Sequence, residues 1–145
     1  MALDEALLAS ASAGAPPTLR LYGWHGPWLS LGYAQPFDEA AAAACRRAGV
    51  SVVRRVTGGR AVLHGRDLTY AVAAHESALP AGLDASYRLV SDALIAALAA
   101  IGVAAERAAP AAAIAPGGAF DCFASAATDE IAVGGRKLAG SAQRR

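Results

Sequence analysis

The sequence predicts a single α+β domain, because strand-like segments alternate with helical segments along its 145 residues. Apolar and polar residues alternate in several short runs bounded by glycine or proline, as half-buried strands require. Residues 85–101 instead repeat their large apolar side chains at helical spacing. The pair Gly134-Gly135 separates two further strand-like runs and is typical of a hairpin turn. A chain of this length fits one domain, which we predict over residues 1–145.

The first half of the chain predicts two helices and a series of short strands. Residues 1–10 form the first predicted helix, with Leu3 and Leu7 on one face. Residues 37–48 form the second, and Gly49 follows where a helix end favours a left-handed residue. Alternation predicts strands at residues 18–22, 28–33, 51–56, 60–63 and 67–74.

The second half predicts one long helix and a hairpin. Asp84 is the candidate N-cap of the helix at residues 85–101. The apolar face of this helix comprises Tyr87, Val90, Leu94, Leu98 and Ile101. The remaining predicted elements are a long loop at residues 104–120 and two hairpin strands at residues 128–133 and 137–143.

Composition and charge exclude several classes of protein. The net charge of +1 gives no basic excess for a nucleic-acid site or a polybasic membrane surface. The longest apolar stretch, residues 89–105, is short for a bilayer span and carries Asp92. Two cysteines in a chain without secretory features predict free thiols in a reducing compartment. We therefore expect a cytoplasmic protein that binds neither nucleic acid nor membrane.

The first candidate site is the run from Arg54 to His64, in which Thr57-Gly58-Gly59 lies between two predicted strands. In the simplest interpretation the two glycines form a hairpin turn. They also let the backbone approach a ligand closely, and N–H groups in such a turn can receive a carbonyl or phosphate oxygen. The flanking arginines add positive charge beside that position.

The second candidate is Cys122, which follows the glycine pair Gly117-Gly118. A nucleophilic cysteine needs an accessible, stabilised thiolate, usually beside a cation. The predicted hairpin can bring Lys137 close to it. A lone cysteine is also a common small core residue, and Cys45, in an alanine-rich helix, has only that interpretation.

The third candidate is the run that follows Lys137, which is the single lysine among thirteen basic residues. This lysine is either present by chance or kept for amine chemistry. The small residues after it favour a strand that an elongated ligand can approach closely. The alternative is a plain β-hairpin with a solvated lysine. No cluster of His, Cys and Asp has metal-ligand spacing, so no metal site is predicted.

In this order, the segments resemble the lipoate–protein ligase A/octanoyltransferase superfamily, which shares a fold with biotin protein ligase. The matching runs are residues 1–6, 22–24, 29–35, 54–64, 67–70, 86–87, 122–123 and 135–143. The resemblance implies a mixed, largely antiparallel sheet with packed helices, in a class II synthetase-like catalytic domain. Thr57-Gly58-Gly59-Arg60 together with Cys122-Phe123 is closest to the LipM-type octanoyltransferase branch. ATP-dependent ligases of this superfamily usually carry Ser-Gly-Gly-Gly instead.

This branch implies an acyltransferase without a cofactor. Cys122 would accept an octanoyl group from acyl carrier protein and pass it to a lysine of a lipoyl-domain protein, such as the glycine cleavage H protein. Lys137 would polarise the thioester carbonyl and favour the Cys122 thiolate. The implied substrate-binding residues are Arg55, Thr57, Gly58, Gly59, Arg60, Ala61, Val62, His64, Gly140, Ser141 and Ala142, with apolar partners from Trp24, Leu31, Val62 and Leu63.

Three alternatives stay open at this point. The first is an ATP-dependent lipoate–protein ligase, which would use ATP and Mg²⁺. The second is a non-catalytic remnant that binds acyl groups or a lipoyl domain without turnover, and the third is transfer between two lipoyl-domain proteins. Family members are typically longer, with additional elements before the first helix and after residue 143. The resemblance therefore predicts an incomplete catalytic domain, truncated at both ends.

Overall fold

The computed structural model describes residues 1–108 and 130–145, which contain three helices, eight strands and one 3₁₀ turn. In chain order these elements are α1 (Ala2–Ser12), β1 (Thr18–Tyr22), β2 (Trp28–Leu31), α2 (Glu39–Arg47), β3 (Ser51–Arg54), β4 (Val62–His64), β5 (Thr69–Ala73), the 3₁₀ turn (Glu76–Ala78), α3 (Leu83–Ala100), β6 (Glu106–Arg107), β7 (Ile131–Val133) and β8 (Arg136–Ala139). They group into two compact units. The first unit is Met1–Leu79 with Arg144–Arg145, and the second unit is Pro80–Gln143.

The ends of helix α2 follow from its local sequence. The side chain of Asp38 caps the helix by accepting a hydrogen bond from the Ala41 N–H at 2.8 Å. Arg46 and Arg47 in the last turn complement the negative end of the helix dipole. Gly49 follows with a φ of +65°, a conformation that L side chains rarely adopt. The predicted helix and its glycine stop are confirmed, with a slightly later start.

The first unit contains two sheets, and one of them corrects the sequence prediction. Strand β1 pairs antiparallel with β5 in a two-stranded sheet. The other sheet has the order β3-β2-β4, with β2 parallel to β3 and antiparallel to β4. Strands β3 and β4 therefore lie on opposite sides of β2 and do not pair with each other. The hairpin interpretation of Thr57-Gly58-Gly59 is wrong, because this segment crosses from one edge of β2 to the other.

Helix α1 turns a charged residue toward the sheet. Asp4 Oδ1 accepts a hydrogen bond from Arg20 Nη1 of β1 at 2.5 Å, and the Asp4 side chain is largely buried. Leu3, which we expected on the packed face, is more than half exposed. Burial raises the pKa of Tyr22 to about 12, and the nearby Asp4 carboxylate adds to the rise. An ion pair thus joins the first helix to the first strand.

Helix α3 differs from its prediction at both ends. Its N-cap is Gly82, without a side-chain hydrogen bond, and Asp84 lies in the first turn. The capping role predicted for Asp84 is therefore wrong, although its charge still favours the positive helix N-terminus. Ile101 lies just beyond the helix and is 75% exposed, so it does not extend the buried face. The fully buried positions of the helix are Ser86 and Ser91.

The second unit also contains the sheet β6-β7-β8, which is antiparallel throughout. Gly134 and Gly135 have φ values of +54° and +73°, and two positive φ angles are what a type I′ hairpin turn requires. The predicted hairpin is confirmed, and its second strand ends at Ala139. The short strand β6 lies inside the segment predicted as a loop at residues 104–120, of which residues 109–120 lie outside the described residues.

Among residues 1–108 and 130–145, no helix is long and apolar enough to cross a membrane.

Candidate functional site

The segment of residues 57–60, which we call the glycine loop, is held by the side chain of Arg55. Arg55 Nη2 donates hydrogen bonds to the carbonyl oxygens of Gly58 and Arg60, each at 2.9 Å. Its Nη1 donates to the carbonyl oxygen of Ser30 at 2.7 Å and to the Ser30 hydroxyl at 2.9 Å. One guanidinium group therefore ties the loop to strand β2, because its planar fork presents several donors at fixed angles.

The glycine loop also rests directly on the backbone that follows β2. A Cβ atom on Gly32 would lie 1.9 Å from the carbonyl oxygen of Gly59, a distance that only glycine permits. The Tyr33 N–H donates to the carbonyl oxygen of Thr57 at 2.8 Å. Arg54 Nη1 donates to the carbonyl oxygens of Gly32, at 2.7 Å, and Gln35, at 2.8 Å. The two consecutive arginines thus hold the loop and the backbone beneath it.

A chain of hydrogen bonds that runs from the buried Ser30 to the surface lies beside Arg55. The Ser30 hydroxyl is 2.7 Å from His64 Nε2, and His64 Nδ1 is 2.7 Å from Asp67 Oδ2. Ser30 is 0% exposed and His64 is 8% exposed. The Trp24 ring stacks on the His64 ring with centroids 4.1 Å apart, and Trp24 Nε1 donates to the Thr69 hydroxyl at 2.8 Å. Every polar atom of this group therefore has a partner, as burial demands.

The carboxylate of Asp67 is stabilised in its ionised form. Partial burial raises its pKa, but hydrogen bonds from His64 and from the Gly65 N–H outweigh that effect. The net result is a pKa below the ordinary value of 3.8. Asp67 is therefore an anion at neutral pH, beside the imidazole of His64.

In the second unit, Lys137 is buried and paired. Its Nζ lies 2.7 Å from Glu130 Oε1, and the two side chains are 7% and 14% exposed. A Cβ atom on Gly140 would lie 2.9 Å from Lys137 Cε and 3.0 Å from its Nζ. The solvated-lysine alternative is therefore wrong, because the hairpin folds the lysine back over the glycine that follows it.

The end of the lysine-containing run is joined to helix α3. Ser86 Oγ lies 3.0 Å from Gln143 Oε1. Burial raises the pKa of Tyr87, a hydrogen bond with the Gln143 backbone opposes the rise, and the Glu130 charge adds to it. Ser141 is half-buried and Ala142 is exposed in the extended segment between β8 and Gln143. The segment that carries Lys137 is thus anchored at both ends.

An open cavity of about 500 Å³ lies in the first unit. Its wall comprises one side of α1 together with Tyr33, Arg54, Arg55, Val56 and Arg144. Of the predicted substrate-binding residues, only Arg55 lines it. Three of the nine residues that line it are arginines.

The structure brings some predicted residues together and separates others. Arg55, Gly58, Arg60 and His64 belong to one hydrogen-bonded group through Ser30.

Strand β4 alternates its side chains, so Val62 and His64 share one face and Leu63, 66% exposed, lies on the other. Leu63 therefore does not line a site with Val62.

Among the other predicted site residues, Thr57 is half-buried, Gly59 is exposed and Ala61 is buried. Cys122 lies outside the described residues, so its predicted role stays a prediction.

Sequence reasoning missed four residues of these groups, namely Ser30, Gly32, Asp67 and Glu130. A signal existed for Ser30, since a small polar residue inside an apolar strand needs a buried partner. No comparable signal marked Glu130, whose partner is seven positions away across a turn. Among residues 1–108 and 130–145, no group of three His, Cys, Asp or Glu side chains could hold a metal ion.

The fold is that of lipoate-ligating catalytic domains. The structure of lipoate-protein ligase A bound with ATP matches 99% of this chain and 55% of its own, with a TM-score of 0.77 and 26% identity. A bi-partite lipoate protein ligase from Thermoplasma acidophilum, described with its E2 lipoyl domain, matches 72% of this chain and 41% of its own, with a TM-score of 0.59 and 29% identity. The chain belongs to the lipoyl protein ligase A/B catalytic domain family, whose model matches residues 1–145.

Within that family, the chain is similar to proteins named octanoyltransferase LipM. The relative from Symbiobacterium thermophilum is 44% identical over 151 residues, and the one from Geobacillus kaustophilus is 44% identical over 155 residues. Each alignment covers 100% of this chain and 55% of the relative. The chain thus spans about half the length of the curated relatives it matches.

Proposed function

We propose that this chain carries the catalytic residues of an octanoyltransferase of protein lipoylation. The observation that carries the proposal is the buried ammonium group of Lys137, held 2.7 Å from Glu130 and against Gly140. Burial of a charged side chain costs free energy even when it is paired, so a buried lysine is a candidate for a functional role. The names of the similar proteins support octanoyl transfer over other acyl chemistry.

The proposed reaction has two balanced steps. The Cys122 thiolate attacks the carbonyl carbon of octanoyl-acyl carrier protein, the carbonyl C–S bond to the carrier breaks, and the carrier thiolate leaves and takes up a proton. A lysine amine of the acceptor then attacks the octanoyl-Cys122 thioester, forms an amide, loses a proton and releases the Cys122 thiol. Each step moves the same octanoyl group to a new nucleophile, and the starting thioester is already activated, so no nucleotide is needed.

Lys137 would act on the carbonyl oxygen in both steps. Negative charge develops on that oxygen in each tetrahedral intermediate, and a fixed ammonium group stabilises it. The substrate-binding residues would be the glycine loop with Arg55, Ala61, Val62 and His64, and Gly140, Ser141 and Ala142 after Lys137. The acceptor would be a lipoyl-domain protein such as the glycine cleavage H protein, and the free-thiol chemistry suits the reducing cytoplasm.

An intact-mass measurement tests the covalent step. After incubation with octanoyl-acyl carrier protein, we expect the chain to gain the mass of one octanoyl group, and hydroxylamine should remove it, since thioesters are labile to that nucleophile. Cys122→Ala should abolish the gain. Cys45→Ala is the matched control, because Cys45 lies in α2 outside the site, and it should leave the gain unchanged. An adduct that persists in Cys122→Ala would contradict the proposed nucleophile.

A second candidate function is ATP-dependent lipoate ligation, which is favoured by the likeness to the ligase structure bound with ATP. This function predicts pyrophosphate release from ATP and lipoate that survives Cys122→Ala. The octanoyltransferase proposal predicts no such release. Binding of octanoyl donor without any covalent adduct would instead support a non-catalytic binding role.

A further inference from the structure

Ser30, His64 and Asp67 form a hydrogen-bonded series to which the proposed reaction assigns no chemistry. Both links are 2.7 Å long, and they connect strand β2 to strand β4 and to the turn before β5. The order of groups is that of a serine, histidine and aspartate triad. Ser30 is nevertheless no nucleophile here, because it is 0% exposed and its hydroxyl already accepts a hydrogen bond from Arg55.

The partners of the series determine the direction of two of its hydrogen bonds. A guanidinium group can only donate, so the Ser30 oxygen accepts from Arg55 Nη1. The Ser30 oxygen has a second lone pair and one proton, and it lies 2.7 Å from His64 Nε2. The ionised carboxylate of Asp67 accepts the proton on His64 Nδ1. His64 therefore carries a proton on Nδ1, and both of its ring nitrogens are engaged within the protein.

The same series reaches the glycine loop through one side chain. Arg55 holds Ser30 with Nη1 and holds the carbonyl oxygens of Gly58 and Arg60 with Nη2. A change in the position of Ser30 or His64 is thus transmitted to the loop by a rigid, planar group. The Trp24 ring, stacked on His64, limits the movement of the imidazole.

We propose that Ser30 and Asp67 are positioning residues, which fix His64 and Arg55 and thereby set the shape of the glycine loop that receives the acyl donor. His64, which is among the proposed substrate-binding residues, then also affects the donor through the loop. The kinetic part of this inference rests on the proposed octanoyl transfer, whereas the structural part does not.

Nuclear magnetic resonance tests the structural part without any acyl donor. Imidazole ¹⁵N shifts of the wild-type chain should show His64 with its proton on Nδ1. Asp67→Ala should destroy that preference, and Ser30→Ala should shift the backbone amides of Gly58 and Arg60. Ser77→Ala is the matched control, since it removes the 2.8 Å partner of the exposed His75 and should leave His64 and the loop amides unchanged. Unchanged loop amides and an unchanged His64 tautomer in folded Ser30→Ala and Asp67→Ala would overturn the proposal.

Single-turnover acylation tests the kinetic part. Ser30→Ala and Asp67→Asn should slow acylation by about 10- to 100-fold, the usual result of a small displacement in a reacting site, with the donor KM within about twofold of wild type. A general loss of structure would instead raise KM and lower the melting temperature together. Asp67 lies near the surface, so Asp67→Asn should fold and give a measurable acylation rate even if Ser30→Ala folds poorly.

Wild-type acylation rates in folded Ser30→Ala and Asp67→Asn would overturn the proposal. If the wild-type chain forms no octanoyl adduct, the proposed transfer fails. The positioning roles are then judged on the His64 tautomer and the loop amides alone.

Discussion

The ammonium group of Lys137 lies 2.7 Å from the carboxylate of Glu130, and the carbon chain of the lysine folds over Gly140. These three residues occupy one short segment, in which the hairpin pairs Ile131 with Ala139 and Ala132 with Lys137 and so brings the residue before Ile131 close to the second strand. The pairing places the lysine beside a carboxylate where water is largely excluded. Fixed charge in such a place stabilises developing negative charge better than a solvated lysine does.

Replacing Lys137 by arginine should abolish acyl transfer and leave the fold intact. The planar guanidinium is bulkier than an ammonium group and does not present a point charge against Gly140. Single-turnover acylation measures the first effect, and circular dichroism with thermal melting measures the second. Normal turnover by Lys137→Arg would show that Lys137 takes no part in the chemistry.

Glu130→Gln should destabilise the protein, because it leaves the buried ammonium of Lys137 without its carboxylate partner. The cost of breaking a buried pair is about 3 kcal/mol. Asp92→Asn is the matched control in the same unit, since it removes an ion pair with Arg107 in which the Asp92 side chain is 65% exposed. An exposed pair contributes only about 0–1 kcal/mol. Equal losses in the two variants by urea denaturation would contradict the account.

Gly140→Ala should reduce acyl transfer more than it reduces stability. The new Cβ would lie 2.9 Å from Lys137 Cε, so the end of the lysine side chain must move. A flexible side chain moves at little cost, but its charge then no longer occupies the same place. The acylation rate of the variant should be about tenfold or more below the wild-type rate. Its melting temperature should stay close to that of the wild type. A wild-type rate would show that the position of Lys137 Nζ is unimportant.

Gly32→Ala should destabilise the protein by about 2 kcal/mol or more, because overpacking forces the backbone to shift. The Cβ would meet the Gly59 carbonyl oxygen at 1.9 Å, and neither partner is a flexible side chain. Gly23→Ala is the matched control, since its Cβ would meet nothing within 4 Å. Urea denaturation of both variants checks the difference. Two equally stable variants would mean that the glycine loop does not rest on Gly32.

Asp67→Asn should weaken the dependence of the free energy of unfolding on pH in the acid range. The folded pKa of Asp67 is lowered below 3.8, so the carboxylate contributes stability above that pH. This contribution is lost as the pH falls through the lowered folded pKa. The stability difference between wild type and variant should therefore be constant near neutral pH and shrink as the pH falls below the ordinary value of 3.8. Denaturation curves that stay parallel across this range would contradict the role assigned to Asp67.

Local features of the fold were predictable from the sequence, whereas long-range pairing was not. The Gly134-Gly135 turn and the end of α2 follow from residues adjacent in the chain. The order β3-β2-β4 depends on which strand lies between two others, and the alternation within each strand does not contain that information. The apolar spacing that predicted α3 was correct, but its capping residue was not, because a glycine without a side-chain oxygen takes that place.

In the candidate site, too, single residues were predictable from the sequence but their contact partners were not. The motif residues Arg55, Gly58 and Lys137 could be selected from the sequence, since their types suit anion and carbonyl binding. Their partners Ser30 and Glu130 could not, because each lies on a different element and is selected only by three-dimensional contact. The partners determine the orientation of the selected residues, so sequence alone gives candidates without their geometry.

The most direct test of the central claim is the mass of a lipoyl-domain acceptor after incubation with this chain and octanoyl-acyl carrier protein, with ATP omitted. We predict that the acceptor gains one octanoyl group on a lysine, and that Cys122→Ala and Lys137→Arg abolish the gain. An acceptor that is modified only when ATP is present, at the same rate with Cys122→Ala, would contradict the account.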